Sequence, residues 1–464
     1  MHQPPDGKGE KTQIRQLIVQ LEWIAYVNQA YLFSRPGIRL TVILRQRFIL
    51  HLKQVHEMKY DFDEYVSREK TDSLTVDGWR EYLFAGQSEF AMRYPAEGLI
   101  NLWVADMAFA TPEPVLQAIR DRLDKKILGY TKIYDDDYYK IFGDWCERQY
   151  GHRFKTEDIV LSPGIIPALN RLVLLLTDKD DSILIMTPSY GPFKKAGEYS
   201  QRRVVYSALK KSASGWEPDW EDFEHKTGQA DLGVKILFLC NPHNPTGRVW
   251  RPNELKRIIE ICLANDIWVI SDEIHCDLSR NGIGHTPAAS LFPDSTRIIT
   301  CMSSSKTFNL AGNLLANIII PDADVRSAWR LRHDEFISPL SLVANKAAWS
   351  ECDDWLIHLR EYIDGNFQYL HDYLKSYFPE TNFSIPEGTY LAWIDISHYL
   401  PDTAGEDLSL YFARESGVLL EGGLLFVDNG DGYIRLNLAC PRTLLTAGLQ
   451  RISQVLRTPT PHRV

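Results

Sequence analysis

What most constrains this chain is a rhythm between residues 106 and 345. Short apolar runs end in polar or turn-forming residues and are separated by stretches with helical periodicity. Ser182–Met186 closes on Thr187-Pro188, and Val234–Cys240 closes on Asn241-Pro242. Ile267–Ser271 closes on Asp272, and Ile298–Cys301 leads into Ser303-Ser304-Ser305. Between such runs, Ala168–Leu176 and Glu254–Leu263 repeat apolar residues at helical spacing. Apolar runs alternating with helical patterns of roughly 10–15 residues predict an α/β domain built on a mixed, mostly parallel sheet flanked by helices. In open sheets of this kind ligands bind beyond the carboxyl ends of the strands. Asn241, Asp272 and Ser303 all fall at or just past such ends, so the three segments that carry them read as one site.

From about Trp349 the pattern changes. A long helical stretch, Trp355–Tyr377, precedes the strand candidates Phe383–Ile385, Tyr390–Ile394 and Tyr433–Leu438, and a final helix covers roughly Thr443–Leu456. This reads as a smaller α+β domain. The expected division is an extension at 1–57, a segment 58–105 contributing to the small domain, a large domain at 106–345 and the small domain at 346–464. The extension holds eight Lys/Arg against four Asp/Glu and no apolar stretch of the roughly 18–20 residues that spans a bilayer. Asp6, Glu10 and Glu22 weaken a targeting role, and the simplest reading starts translation at Met58.

A net charge of −10 argues against a protein built to grip nucleic acid, and the absence of a long apolar span argues against a membrane protein. Seven scattered cysteines, odd in number and never in a Cys-x-x-Cys pair, point away from a disulfide framework or a structural metal and towards the cytoplasm.

The chemistry gathers around Lys306, in Ser303-Ser304-Ser305-Lys306-Thr307-Phe308-Asn309. Upstream stand Asn241-Pro242-His243-Asn244-Pro245-Thr246-Gly247 and Ser271-Asp272-Glu273-Ile274-His275. Alone, a lysine is a solvated charge, an aspartate a helix cap and an asparagine a turn residue. Together, in this order and at strand ends, they match what amino-acid chemistry on pyridoxal 5′-phosphate requires. Lys306 supplies the amine that anchors the cofactor and moves protons at Cα. Asp272 is the carboxylate that keeps the pyridine nitrogen protonated. Asn244 can donate its amide to the ring oxygen. Ser303, Ser305 and the amides of Gly164-Ile165-Ile166, at the mouth of a helix expected to begin near Pro167, can hold the phosphate. Tyr190, just past a strand end, can stack on the ring.

These segments resemble the signature of fold-type I pyridoxal-phosphate enzymes, the aspartate aminotransferase superfamily, over essentially Met58–Leu456. The chain is most similar to the bacterial C–S lyase branch, with its cystathionine β-lyases and cystalysin. The branch marks are Trp103-Val104-Ala105-Asp106-Met107, Leu128-Gly129-Tyr130-Thr131, Ser271–His275, Ser305–Asn309, Gly388-Thr389-Tyr390-Leu391-Ala392-Trp393 and Arg435-Leu436-Asn437. The resemblance implies that Arg435, with Asn244, grips the substrate α-carboxylate, and that Tyr130 reaches the cofactor phosphate of a neighbouring subunit, hence a homodimer with shared sites. His275, implied to bind the cofactor, stands where many aminotransferases carry a tyrosine that bonds the cofactor phenolic oxygen; the lyase branch characteristically has His there, which favours lyase over transaminase. Two departures accompany it: Leu310–Leu315 contains no arginine, as in the branch, and Ala108 replaces an acidic residue usual there. The expected activity is α,β-elimination of cystathionine or a related cysteine S-conjugate to thiol, pyruvate and ammonia. The alternative is an aminotransferase of the class I/II family using the same residues.

Overall fold

A computed structural model describes residues 60–84, 91–212, 215–402, 405 and 407–456; the expectations for 1–57 lie outside the described residues. The central sheet is built from β1 (Ile159–Ser162), β2 (Ser182–Thr187), β3 (Arg203–Ser212), β4 (Gly215–Pro218), β5 (Val234–Cys240), β6 (Trp268–Asp272), β7 (Ile298–Met302) and β8 (Ala316–Ile319). Their spatial order is β1-β8-β7-β6-β5-β2-β3-β4. The run β7-β6-β5-β2-β3 is parallel, whereas β8 runs antiparallel to both neighbours and β4 antiparallel to β3. The sheet is therefore mixed and mostly parallel, as the sequence rhythm predicts. Strands buried on both faces read as unbroken apolar runs; Val234–Cys240 (VKILFLC) is buried along nearly its whole length.

Register places the site. Cys240 lies opposite Asp272, and Asp272 opposite Cys301, so the carboxyl ends of β5, β6 and β7 stand side by side. Side chains alternate along a strand, which sends Asp272 to one side while Ser271 and Glu273 go to the other. There the fully buried Glu273 accepts from Ser271 Oγ at 2.8 Å, faces His285 Nε2 at 2.8 Å and accepts from the Ala288 N–H at 3.0 Å.

Helices cover the sheet: α1 (Glu113–Leu123), α2 (Asp137–Tyr150), α3 (Ile165–Leu176) and α4 (Pro252–Ala264) among them. α5 (Pro339–Glu351) starts where Ser338 accepts the Leu340 N–H as an N-cap, and leads into the 25-residue α6 (Asp353–Tyr377). In α6, Trp355, Leu356, Leu359, Ile363, Phe367, Leu370 and Leu374 are buried at helical spacing, one apolar stripe laid on the core. A three-stranded antiparallel sheet follows, with β11 (Tyr433–Asn437) between β9 (Leu391–Asp395) and β10 (Glu421–Gly422).

Two sequence expectations need correction. No strand forms at Phe383–Ile385. Pro386 follows directly and has no N–H for a ladder, and the chain turns instead to bring Gly388 onto Gly247, whose carbonyl accepts the Gly388 N–H at 2.8 Å. And α3 begins at Ile165 rather than near Pro167. A proline in the first turn sacrifices only an N–H that has no partner inside the helix.

Candidate active site

The Asn241–Gly247 turn is held from both sides. Arg248, buried just after it, is bound by Glu254 at 2.6 Å and Glu387 at 2.8 Å. Gly247 has φ +69°, and a Cβ there would lie 2.4 Å from Pro386 Cβ, so only glycine fits. This scaffold points Asn244 inward, where its Oδ1 accepts from Arg435 Nη1 at 2.9 Å.

The loop after β7 is fixed equally firmly. Ser304 donates to Asn345 Oδ1 at 2.6 Å, and Thr307 donates to Asp277 Oδ2 at 2.7 Å. Phe308 is fully buried against Trp145 and Trp355. Asn309 donates to the carbonyls of Met107 and Phe109 at 3.1 and 2.9 Å, which stitches the lysine loop to the 103–109 segment. Lys306 Nζ then donates to the Ala105 carbonyl at 2.6 Å. Burial lowers the Lys306 amine below the ordinary lysine range, and Arg435 pushes the same way, against Asp106, Glu421 and Asp272. A lowered amine is what proton transfer at neutral pH requires.

Asp272, 4% exposed, accepts the Ile274 N–H at 3.1 Å. Burial pushes its carboxyl up to about 7, opposed by that hydrogen bond and by Lys306. His275 is 2% exposed; burial, with Lys306 and Arg435 adding to it, drives its imidazole down to about 3, and it stands edge-on to Tyr390. Tyr190 pairs through its backbone with Phe426. Its hydroxyl is raised chiefly by burial and secondarily by Glu421, and it also feels Arg435 and Asp272. Arg435, 2% exposed on β11, donates to Asn244 and to the Trp103 carbonyl at 3.2 Å, forms an ion pair with Glu421 and sits over the Phe426 ring.

Lys306, Asp272, Asn244, His275, Tyr190 and Arg435 thus share one cluster. Ile165 and Ile166 open α3, and the N-cap Gly164 offers no side chain to its amides. Ser303 is less available than expected: its hydroxyl already donates to the Leu315 carbonyl at 2.8 Å and accepts the Ser305 N–H at 3.2 Å. Tyr130 is 94% exposed, beside Phe336, and is not part of the cluster within one chain. Ala108 gives its N–H to the Ala439 carbonyl at 2.9 Å. Two groups of the site escaped sequence reasoning: the Ala105 carbonyl, which no side-chain pattern reveals, and Glu421, an acid ending the apolar run Val418-Leu419-Leu420.

The sequence model of the family "Aminotransferase class I and II" matches residues 97–452. The chain belongs to this family. It is 35% identical over 369 residues to cystathionine beta-lyase PatB of Bacillus subtilis, covering 77% of this chain and 92% of that protein. The PLP-bound C–S lyase from Staphylococcus hominis superposes with a TM-score of 0.81 at 43% identity, over 86% of this chain and 99% of that one. Cystalysin from Treponema denticola, which contains pyridoxal 5′-phosphate, gives 0.78 at 29% identity, over 86% and 99%. The resemblance read from the motifs is borne out.

The residues present fit pyridoxal phosphate on their own terms. Asp272 is a buried carboxylate whose ionisation is suppressed by burial, a site a ring N–H⁺ would complete. His275 Nδ1 is buried with no hydrogen-bond partner, and the start of α3 has no side-chain cap, as an anion site at a helix N-terminus requires.

Asp272 makes stability depend on pH in a fixed direction. Its folded value, about 7, lies above the unfolded value of about 3.9, so the native state holds the proton longer. Its effect is most favourable below about pH 4 and is progressively lost as pH rises to about 7. Asp272→Asn is therefore expected to flatten the unfolding free energy of the cofactor-free chain across that window. Urea titrations at several pH values check this, and an unchanged slope contradicts it.

Proposed function

We propose that this chain is a pyridoxal-phosphate-dependent C–S lyase that carries out α,β-elimination on cystathionine or a related cysteine S-conjugate. The observation that carries the reading is Lys306, an amine lowered by burial, in one cluster with Asp272, Asn244, His275 and Arg435. The 43% identity to a C–S lyase supports it. Bound cofactor supplies a protonated ring that accepts the electron pair left at Cα.

The chain's residues divide the remaining work. Arg435 and Asn244 hold the substrate α-carboxylate, for which a guanidinium fork is suited. Asp272 would keep the ring nitrogen protonated, and Tyr190 would be the residue to stack on the ring. The amides of Ile165 and Ile166 would take the phosphate, with the hydroxyl of Ser305 as a further donor, since that of Ser303 is already spent on the Leu315 carbonyl. Lys306 Nζ removes the Cα proton. The Cβ–S bond then breaks, sulfur takes the proton that Lys306 carries and leaves as thiol, and the aminoacrylate product is hydrolysed by water to pyruvate and ammonia. His275 stays neutral over the physiological range, because its value near 3 keeps it far from protonation. Tyr130, so exposed in one chain, reaches the phosphate of a second copy in a cytoplasmic homodimer.

The test is product analysis. With L-cystathionine, L-cystine or S-alkyl cysteines and no keto-acid acceptor, the purified protein is expected to release pyruvate and thiol together. Keto-acid formation only in the presence of an acceptor, without pyruvate, would overturn the reading in favour of an aminotransferase.

A further inference from the structure

Arg435 is the group assigned to a substrate carboxylate, and in this chain it already holds one. Glu421 and Arg435 lie directly opposite each other in the β10–β11 pair, so backbone register builds in their proximity. Their side chains, 8% and 2% exposed, form an ion pair. The other Arg435 contacts, to Asn244 and the Trp103 carbonyl, are to neutral groups, and its Nε is buried without a partner.

We propose that Glu421 is an internal stand-in for the substrate carboxylate, neutralising Arg435 in the substrate-free site and giving way when an amino acid binds, so that it sets KM. The inference rests on the function proposed above only through the role of Arg435, which lyase and aminotransferase share. An unpaired buried guanidinium is costly, which gives the free enzyme a reason to carry this partner. Two ionised carboxylates cannot comfortably share one buried guanidinium, because like charges repel strongly in a low-dielectric site. One of them must become neutral or leave. Glu421 is poised for this: burial raises its carboxyl, while Arg435 and Lys306 pull it back down. The hydroxyls of Tyr190 and Tyr82 are the other titratable groups that feel its charge, and neither is ionised near neutral pH. As pH falls, Glu421 takes a proton from solvent and ceases to compete, so substrate carboxylates bind more tightly.

The experiment compares holoenzyme of the natural sequence with Glu421→Gln. The ligand is 3-(methylthio)propanoate, a cysteine S-conjugate stripped of its amine, titrated by calorimetry and as an inhibitor across pH. Glu421→Gln is expected to lower its Kd, and the KM for L-cystathionine, by about tenfold. The effect falls on KM rather than kcat, and the pH dependence of Kd flattens. A purely structural role predicts the reverse, since a misplaced Arg435 binds carboxylate less well; a raised or unchanged Kd overturns the proposal. Should the glutamine variant fail to fold, Glu421→Asp, one methylene shorter, is expected to lower Kd to a smaller extent, and an equal or higher value overturns it. Failure of the lyase reading shows separately, as absence of pyruvate from the natural sequence, and leaves the carboxylate titration readable.

Discussion

Replacing Lys306 by alanine is expected to lower kcat by about a hundred- to ten-thousand-fold, the usual worth of a positioned general base. The visible absorption band of covalently held cofactor should vanish with it. The fold should not suffer. The amine is destabilised by burial, and its one hydrogen bond among the described residues, to the Ala105 carbonyl, is to a neutral group. The variant should therefore melt at or slightly above the temperature of the natural sequence when both lack cofactor. Small primary amines added to the variant should restore part of the rate, because what is missing is an amine and not a scaffold. Full activity with the absorption band intact would refute the site assignment as a whole.

Arg435→Ala carries the second large effect, and it acts on binding and on stability together. Losing a charge-assisted fork to a carboxylate is expected to raise KM by about 10–100-fold. Removing one partner of a buried ion pair strands the other, at a cost of about 3–5 kcal/mol. Here the stranded group is Glu421. The double variant Arg435→Ala with Glu421→Gln should recover much of the stability, because no ionised group is then left buried alone, but should not recover KM. Denaturant titration reads the first effect and steady-state kinetics the second. If the double variant were no more stable than the single one, the pair would not be coupled as described.

The legibility of the site in the sequence follows from which forces are local. Asp272 and Lys306 could be read because each follows an apolar run that is bound to be a buried strand, and strand ends in a parallel sheet converge. The 103–109 segment is different. Its grip on the lysine loop runs through Asn309 and backbone carbonyls some 200 residues away in sequence, and no periodicity reports such a contact. The Phe383–Ile385 expectation went wrong because an apolar triplet looks the same in a strand and in a connector; Pro386 and the docking of Gly388 on Gly247 decide it. Ser303 shows the same limit for a side chain, since its hydroxyl is consumed by a carbonyl of the neighbouring strand segment at Leu315.

The sequence by itself determined the α/β architecture and the family, and it singled out Lys306 and Asp272 as the proposed anchor and its carboxylate partner. Hydrophobic periodicity and turn chemistry act over a few residues and are written directly in the chain. Tertiary structure alone decided what surrounds those groups: the burial that lowers Lys306 and raises Asp272, and the pairing of Glu421 with Arg435 across an antiparallel register. Desolvation and long-range charge depend on every atom packed around a group, and that packing exists only once the chain has folded.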